Sequence, residues 1–537
     1  MFKQLISIFS LFCILVIAAP VFAQNYQTFQ IIRPIAVGTV VTGLDAENRV
    51  YRAYTGIPYV IHADAVGGSW PYTYTLTNAP SGMTIEAGPC TTISTTCTAG
   101  TITWPSPTGT ASNIVVRITD KDGDYVEGTW TVTSSTTIGA DGFCFLDASA
   151  GNDTTGNGSL VTPWQTLEKA RATCGARSIL YLRAGTYPTA GMTATDGVSA
   201  GYRHKVGFNE NATPVIWLAY PGDARPLIEF GATGSNEIEM FDMKGQNVWL
   251  EGFEMQNVGC IGFRTVERQG QFGIVVRNVI GHGVLDGYDG GNCSFFMWAN
   301  FDDAPSHGDT VQLSHFYDTN GGDCALKVYS VDWGLFESSY YHDATFTEAV
   351  VALKNSVRYY TVRANKFGAD IVAGVGGNMN DGGAFNHTTN GEIYHNLFLG
   401  SDTVDTAAGE ITLGVGEIDP IGPTWVYRNT FVGGIINVSN LLTVDGPYDF
   451  QTNVIVNAGG TGGSCPARLT CYSISDYARL TVNVNNVQGA NNGTIADTST
   501  GILVGASRTT YLGVAGFELV DATSISRRYS GRLFLRR

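Results

Sequence analysis

With 537 residues, 44% of them hydrophobic, the chain can bury more than one sizeable core, so more than one domain is expected. Sixty-six glycines and only 15% charged residues favour turn-dense β structure and argue against helical bundles. The net charge of −16 excludes a general attraction for polyanions, nucleic acid first among them; an acidic ligand would need local lysines or a bridging cation.

Residues 1–23 read as a secretory signal: Lys3, an apolar run from Leu11 to Ala19, and Val21-Phe22-Ala23 as a small-residue cleavage site. Nothing else in the sequence is long and apolar enough to span a bilayer, so a secreted or cell-surface protein is expected. Export permits disulfides. Once Cys13 leaves with the signal, nine cysteines remain, and the close pairs Cys90/Cys97 and Cys465/Cys471 are natural bridges. Cys260, Cys293 and Cys324 leave one odd thiol, with 260–293 the preferred pair; none has a zinc-like spacing.

Residues 24–137 read as a β-sandwich of their own. Tyr72 to Leu76, Gly100 to Trp104, Ile114 to Ile118 and Val126 to Val132 alternate as half-buried strands between Asn, Pro and Gly turns. The run from Pro71 to Ile85, with Gly100 to Trp104 and Val116 to Val132, resembles the Ig-like or cadherin-like modules of bacterial surface proteins. Asp120, Asp122 and Asp124 suggest a calcium loop, but the closing Glu of an EF-hand is missing and a hairpin turn is the expected structure.

From Phe143 to Tyr187 the order is a short strand, a loop rich in Gly, Asn and Thr, a helix and a second strand. Thr162 with Gln165 has capping-box spacing, and Pro163 at the first helical position would lose no hydrogen bond. Trp164, Leu167, Ala170 and Ala172 would then line one helix face, with Gly175 ending it before the strand Ile179 to Arg183. This arrangement, with the following Ile179 to Tyr187 (ILYLRAGTY), resembles the opening of the pectate-lyase-like superfamily of right-handed parallel β-helices. The resemblance implies a helix that plugs the open end of a solenoid, with Cys144–Cys174 tying the first strand to it.

Beyond about residue 240 a pattern of apolar, x, x, Asn or Ser, x, apolar recurs. Its centres are Phe253, Asn278, Ser314, Ser338, Asn365, Asn396, Asn429, Asn453 and Asn485, 24 to 36 residues apart, the length of one solenoid turn. Helical repeats would instead space apolar residues by three and four. The expected fold class is therefore all-β: an N-terminal Ig-like sandwich followed by a right-handed parallel β-helix over 138–500. Residues 501–537, with Arg527, Arg528, Arg532, Arg536 and Arg537, read as a terminal cap and basic tail.

The repeat supplies a register. Eleven residues before successive centres lie Asp242, Glu267, Asp303, Lys327, Lys354 and Phe385, which would put Lys327 and Lys354 one above the other on an outer wall. Each would lower the other's proton affinity, which suits a base. Lyases of uronic-acid polysaccharides remove a weakly acidic proton beside a carboxylate whose charge must be neutralised. The superfamily resemblance thus implies Lys354 or Lys327 as base, Asp302, Asp303 and Asp309 as Ca²⁺ ligands, and His307 as auxiliary acid or substrate contact. The implied partner is an acidic polysaccharide met by a monomeric protein.

Equally, a carboxylate ladder passing into lysines is a way for a solenoid to settle its surface charge. Polygalacturonase-type enzymes carry an aspartate pair followed by Gly-His-Gly and Arg-x-Lys; here Gly281-His282-Gly283 precedes Asp302 and Asp303, and no Arg-x-Lys follows. The alternative from another class is a non-catalytic adhesin or glycan binder using Tyr340, Tyr341, Tyr359 and Tyr360, some of which must be core. His342, His387 and His395 read as turn or surface residues.

Overall fold

A computed structural model describes most of residues 27–504; residues 1–26, 505–537 and a number of connections, among them 40–45, 190–203, 285–293, 300–305, 379–389 and 400–410, lie outside the described residues. The signal at 1–23, the basic tail, and Cys260, Cys293 and Cys465 with their pairings therefore fall outside them.

Three long sheets run the length of the coiled region, and successive strands visit them in rotation. Sheet A, opening at His204–Phe208, has eleven strands, sheet B, opening at Phe143–Leu146, twelve, and sheet C, opening at Thr186–Pro188, thirteen; pairing between coils is parallel, and Thr494–Asp497 and Gly501–Val504 add antiparallel at the end of sheet C. This is the right-handed parallel β-helix expected from the repeat, the hand being that of nearly all parallel crossovers. Inside it, like side chains stack: Phe316, Tyr341 and Phe367 lie with ring centroids 5.5 Å apart from coil to coil.

The opening differs from the expectation in one respect. The helix runs Leu167–Thr173, capped by Thr166, whose hydroxyl accepts from the Lys169 N–H, four residues later than the Thr162 cap. Trp164 is still extended: its N–H donates to Phe145 O and its carbonyl accepts from the Asp147 N–H. Those bridge bonds outcompete the helical turn that Pro163 permits. Gly175, at φ +89°, closes the helix, and Cys144–Cys174 joins it to the first strand of sheet B.

The corner between sheets B and C carries a side-chain ladder. Asn365 N–H donates to Asn396 Oδ1 and Asn396 N–H to Asn429 Oδ1, both at 3.0 Å, while each Nδ2 donates to a carbonyl one coil back. Toward the N-terminus it continues through Ser339 and Ser314. Two centres shift by one residue: Asn278 and Ser338 occupy the preceding corner position, in the left-handed region at φ 53° and 52°, and Val279 and Ser339 take the ladder position. Gly252, Leu313, Ala364 and His395 hold the same left-handed corner in their coils. Asn and Gly favour that geometry, which explains the misplacement.

The N-terminal region forms a four-stranded sheet and a three-stranded sheet, with a further pair, Gln30–Arg33 and Asp64–Val66. Strands Thr73–Asn78, Thr101–Trp104, Thr110–Thr119 and Tyr125–Ser135 match the expected ones. Cys90–Cys97 is bonded. Asp120 Oδ1 accepts from the N–H groups of Asp122, Gly123 and Asp124, so the aspartate cluster is a hairpin turn. This module packs on sheet B as one hydrophobic core: Tyr59, Ile61, Trp104 and Trp130 are continuous with Phe143, Phe145, Tyr181, Leu218 and Trp249 on the outer side of that sheet.

Candidate functional site

Glu251, Arg277, Gln312, Glu337, Arg363 and Tyr394 lie in register along sheet B. The module covers them. Arg363 Nε donates to Glu337 at 2.6 Å, and its terminal nitrogens donate to Tyr72 Oη and Ala65 O of the module. Gln312 Nε2 bridges Glu337 and Asp64, and Arg33 donates to Asp64 at 2.9 Å. Burial works to raise the Asp64 carboxyl, but the bond from His62 and the charges of His62, Arg33 and Arg277 outweigh it and hold it below the usual carboxylate range. His62, Asp64 and Glu337 bring possible ligand atoms within 4.8 Å of one another. Two guanidiniums and Gln312 already meet those carboxylates, and a cation would have to displace them. The cluster is a buried polar joint.

Sheet A carries the two lysines, on the strands Cys324–Tyr329 and Val351–Lys354. Their register departs from the expected stack: Lys327 pairs with Ala352 and Lys354 with Tyr329, so the lysines are diagonal, two residues apart along neighbouring strands. Asp242 pairs with Arg264, which in turn pairs with Met297 and is followed in the next coil by Lys327. The eleven-residue offset fails because connections between sheets differ in length from coil to coil.

Where these strands turn toward sheet B, a second ladder forms. His307 pairs with Asp332, and Asp332 with Arg358. Arg358 grips Asp332 through both carboxylate oxygens at 2.8 and 2.7 Å, and His307 Nδ1 lies 4.0 Å from Asp332 Oδ2. The His307 side chain is 23% exposed. Burial lowers its proton affinity, the Asp332 charge partly restores it, and Arg358 lowers it again, which leaves the ring neutral at pH 7. The next residues, Trp333 and Tyr359, stack with centroids 5.1 Å apart, and the Trp333 ring is 5.8 Å from His307. The wall thus holds an imidazole, a clamped guanidinium and two half-buried aromatics.

The module braces this wall from behind. Arg33 donates to the carbonyl of Gly308 and, at 2.6 Å, to Thr310 Oγ1, fixing the turn after His307. Gln27 Nε2 donates to Tyr359 O at 2.5 Å, and Thr361 Oγ1 donates to Gln27.

Asp302 and Asp303 lie outside the described residues. Asp309 is 1% exposed; its Oδ1 accepts from Ile274 N–H and Ser306 Oγ, and its Oδ2 has no hydrogen-bond partner among the described residues. Burial pushes its carboxyl up to about 7, against two hydrogen bonds and the charge of Arg33. With Oδ1 already bonded to Ile274 and Ser306 and the Arg33 guanidinium acting on it, Asp309 is a poor fit to a Ca²⁺ ligand. Of the tyrosines named as glycan contacts, Tyr341 and Tyr360 are core; Tyr340 and Tyr359 are half-buried. Asp332, Arg358 and Trp333 escaped sequence reading. The signal was there: Asp332-Trp333 and Arg358-Tyr359 are charged-aromatic pairs 26 residues apart.

No protein-family model matches this chain, and no curated protein does. Solved structures similar to it include a rhamnogalacturonan lyase, with TM-score 0.43 and 13% identity over 65% of this chain and 87% of that one. Pectate lyase Pel9A gives 0.36 and 12% over 63% and 79%, and a family 28 exopolygalacturonase of Yersinia enterocolitica gives 0.32 and 10% over 82% and 97%. At these values the fold assignment rests on the chain's own three parallel sheets.

Proposed function

We propose that the protein is an exported, carbohydrate-active β-helix protein that cleaves an acidic glycan by β-elimination on sheet A and its corner toward sheet B. The observation that carries the reading is the His307–Asp332–Arg358 wall with Trp333 and Tyr359, which follows within a few residues the strands bearing Lys327 and Lys354. The module occupies sheet B, so a substrate would approach elsewhere.

In this reading one lysine, deprotonated, takes the proton α to the uronate carboxylate. The other lysine and Arg358 balance the carboxylate charge as it spreads toward the α carbon. The electron pair left behind forms the double bond as the β C–O bond breaks, and the departing sugar oxygen takes up a proton. His307, neutral and partly exposed, is the group to relay that proton, while Trp333 and Tyr359 offer apolar edges to sugar rings. A Ca²⁺ ion, if used, would be held by Asp302 and Asp303 and would add neutralising charge. Export follows from the signal read at 1–23. The two disulfides fit it, and among the described residues no helix is long and apolar enough to cross a membrane.

The test is ultraviolet absorbance of unsaturated product from pectate, rhamnogalacturonan, alginate and glycosaminoglycans, with Ca²⁺ or with chelator. A rise on at least one substrate is expected, reduced by about 10²–10⁴-fold in Lys327→Ala or Lys354→Ala, whichever is the base. A flat trace across the panel would sink the lyase reading. The Trp333–Tyr359 stack would then favour a glycan binder, detectable as retained glycan affinity lost in Trp333→Ala.

A further inference from the structure

A second concave site lies where the module meets the first coils, away from the lysine strands. It is a cleft of about 330 Å³, at the small end of the range of ligand pockets and at the kind of domain junction where they form. Arg49, Pro58 and Val60 form the module side; Tyr181, Leu218, Tyr220, Arg225, Glu251 and Asn278 line the coil side.

The charges there are unequal in one respect. The two carboxylates are both ion-paired: Asp223 with Arg183 at 2.5 Å, Glu251 with Arg277 at 2.6 Å. The two guanidiniums donate their hydrogen bonds to neutral groups, and the Glu254 carboxylate acts on Arg225 through its charge without a hydrogen bond. Arg225 donates to the carbonyl and Oδ1 of Asn278, and weakly to Phe253 O. Arg49 donates to Arg52 O and Val60 O and lies 4.6 Å over the Tyr59 ring. Desolvation lowers the proton affinity of Arg225 by more than the charge of Glu254 raises it, so the guanidinium is held at a cost that a directly bonded anion would relieve. The lining carries two guanidiniums and two carboxylates, and because Arg183 and Arg277 neutralise the carboxylates from behind, the uncompensated charge facing the cleft is cationic, in a chain of net charge −16. Tyr181, 1% exposed, lines the same space. Glu251 retains an 18% exposed side chain that can accept from a hydroxyl.

We infer that this cleft binds a hydroxylated carboxylic acid of monosaccharide size, a uronate, with Arg225 meeting the carboxylate and Tyr181 and Glu251 meeting hydroxyls. A bare inorganic anion fits less well, because two carboxylates stand beside the guanidiniums. An uncharged sugar would leave Arg225 without a hydrogen-bonded counter-ion. The choice of a uronate among hydroxy acids rests on the acidic-glycan reading above; the cationic cleft does not.

The test is calorimetric or saturation-transfer titration of the full chain with galacturonate, glucuronate, galactose, inorganic phosphate and a short oligogalacturonide. Saturable uronate binding is expected, at least tenfold tighter than galactose or phosphate. Arg225→Gln should weaken it tenfold or more. Because Arg225 also braces a corner, Tyr181→Phe is the second variant: it should weaken binding severalfold with an unchanged melting curve. Binding of the oligosaccharide as well as the monomer would identify a chain end as the ligand; binding of the monomer alone would identify the free sugar. Lys327→Ala and Lys354→Ala should leave uronate affinity here unchanged, so a failed lyase assay and a failed cleft are separable. Absence of uronate binding, equal binding of phosphate, or full affinity in both cleft variants would overturn the inference.

Discussion

Asp309 sits one turn from the candidate wall and holds a carboxyl pushed up to about 7 by burial. Its folded-state proton affinity exceeds that of the unfolded chain, so the folded state binds more protons between the two values. Stability from this group is complete below the ordinary carboxylate pKa and is lost as pH rises through about 7. Asp309→Asn keeps an Oδ1 to accept from Ile274 and Ser306 but cannot ionise. Its melting temperature should match the wild type near pH 4 and exceed it at pH 8.5, the gap in stability being on the order of 4 kcal/mol at most. Equal pH profiles for the two proteins would refute the account. Arg363 makes a different point at the same scale. Its partner Glu337 is buried, so Arg363→Met should cost about 3–5 kcal/mol in chemical denaturation, and adding Glu337→Leu should recover much of that. Neither effect was legible in the sequence: Arg363, between Val362 and Ala364, alternates with apolar residues like any solvated strand position, and Asp309, in a Gly-Asp turn, read as a cation ligand. Burial by a segment some 250–300 residues away leaves no local mark.

At the level of elements, the repeat was legible because one position in each coil has a chemical requirement: a side chain able to accept from the previous coil and to donate to the coils on both sides. Asn396 accepts from Asn365 and donates to Val362 O and Asn429 Oδ1. Asn396→Ala leaves the Asn365 N–H and the Val362 carbonyl without these partners and should cost about 2–4 kcal/mol, measured by urea titration. A change below about 0.5 kcal/mol would mean that water or a shifted corner replaces the ladder. The one-residue errors at Asn278 and Ser338 arose because the left-handed corner beside the ladder also tolerates short polar residues. The plug helix was legible in kind but late by four residues, since Trp164 found a bridge partner in Leu146, bonded through Phe145 O and Asp147 N–H, that local capping rules do not register. Its anchor is the Cys144–Cys174 bridge, 30 residues apart in sequence. Replacing both cysteines by serine should lower stability by about 3.5 kcal/mol if loop entropy dominates.

For the whole molecule, the module and the solenoid share a core, and this decides how the protein unfolds. The strands of the module were readable from their alternation; its seat on sheet B was not, since Phe143, Phe145 and Tyr181 alternate with residues that fill the solenoid, and a strand apolar on both faces only says that something covers each. Tyr54 packs edge-on against Phe143 and Phe145 at 5.2 and 5.0 Å, and polar bonds from Gln27, Arg33, Asp64 and Tyr72 extend the contact to the coil of Glu392. A spacer on a flexible joint would melt separately. Here the module and the coils under it should melt together, and calorimetry should give one transition for that unit. Removing residues 1–137 should expose Phe143, Tyr181, Leu218 and Trp249 together with the charges of Glu337 and Arg363, so the truncated chain should aggregate or bind a hydrophobic dye. It should also loosen the turn after His307, which loses Arg33. If the truncated chain instead stayed monomeric with an unchanged coil transition, the shared core would contribute little, and the bracing of the His307 wall by the module would fall with it.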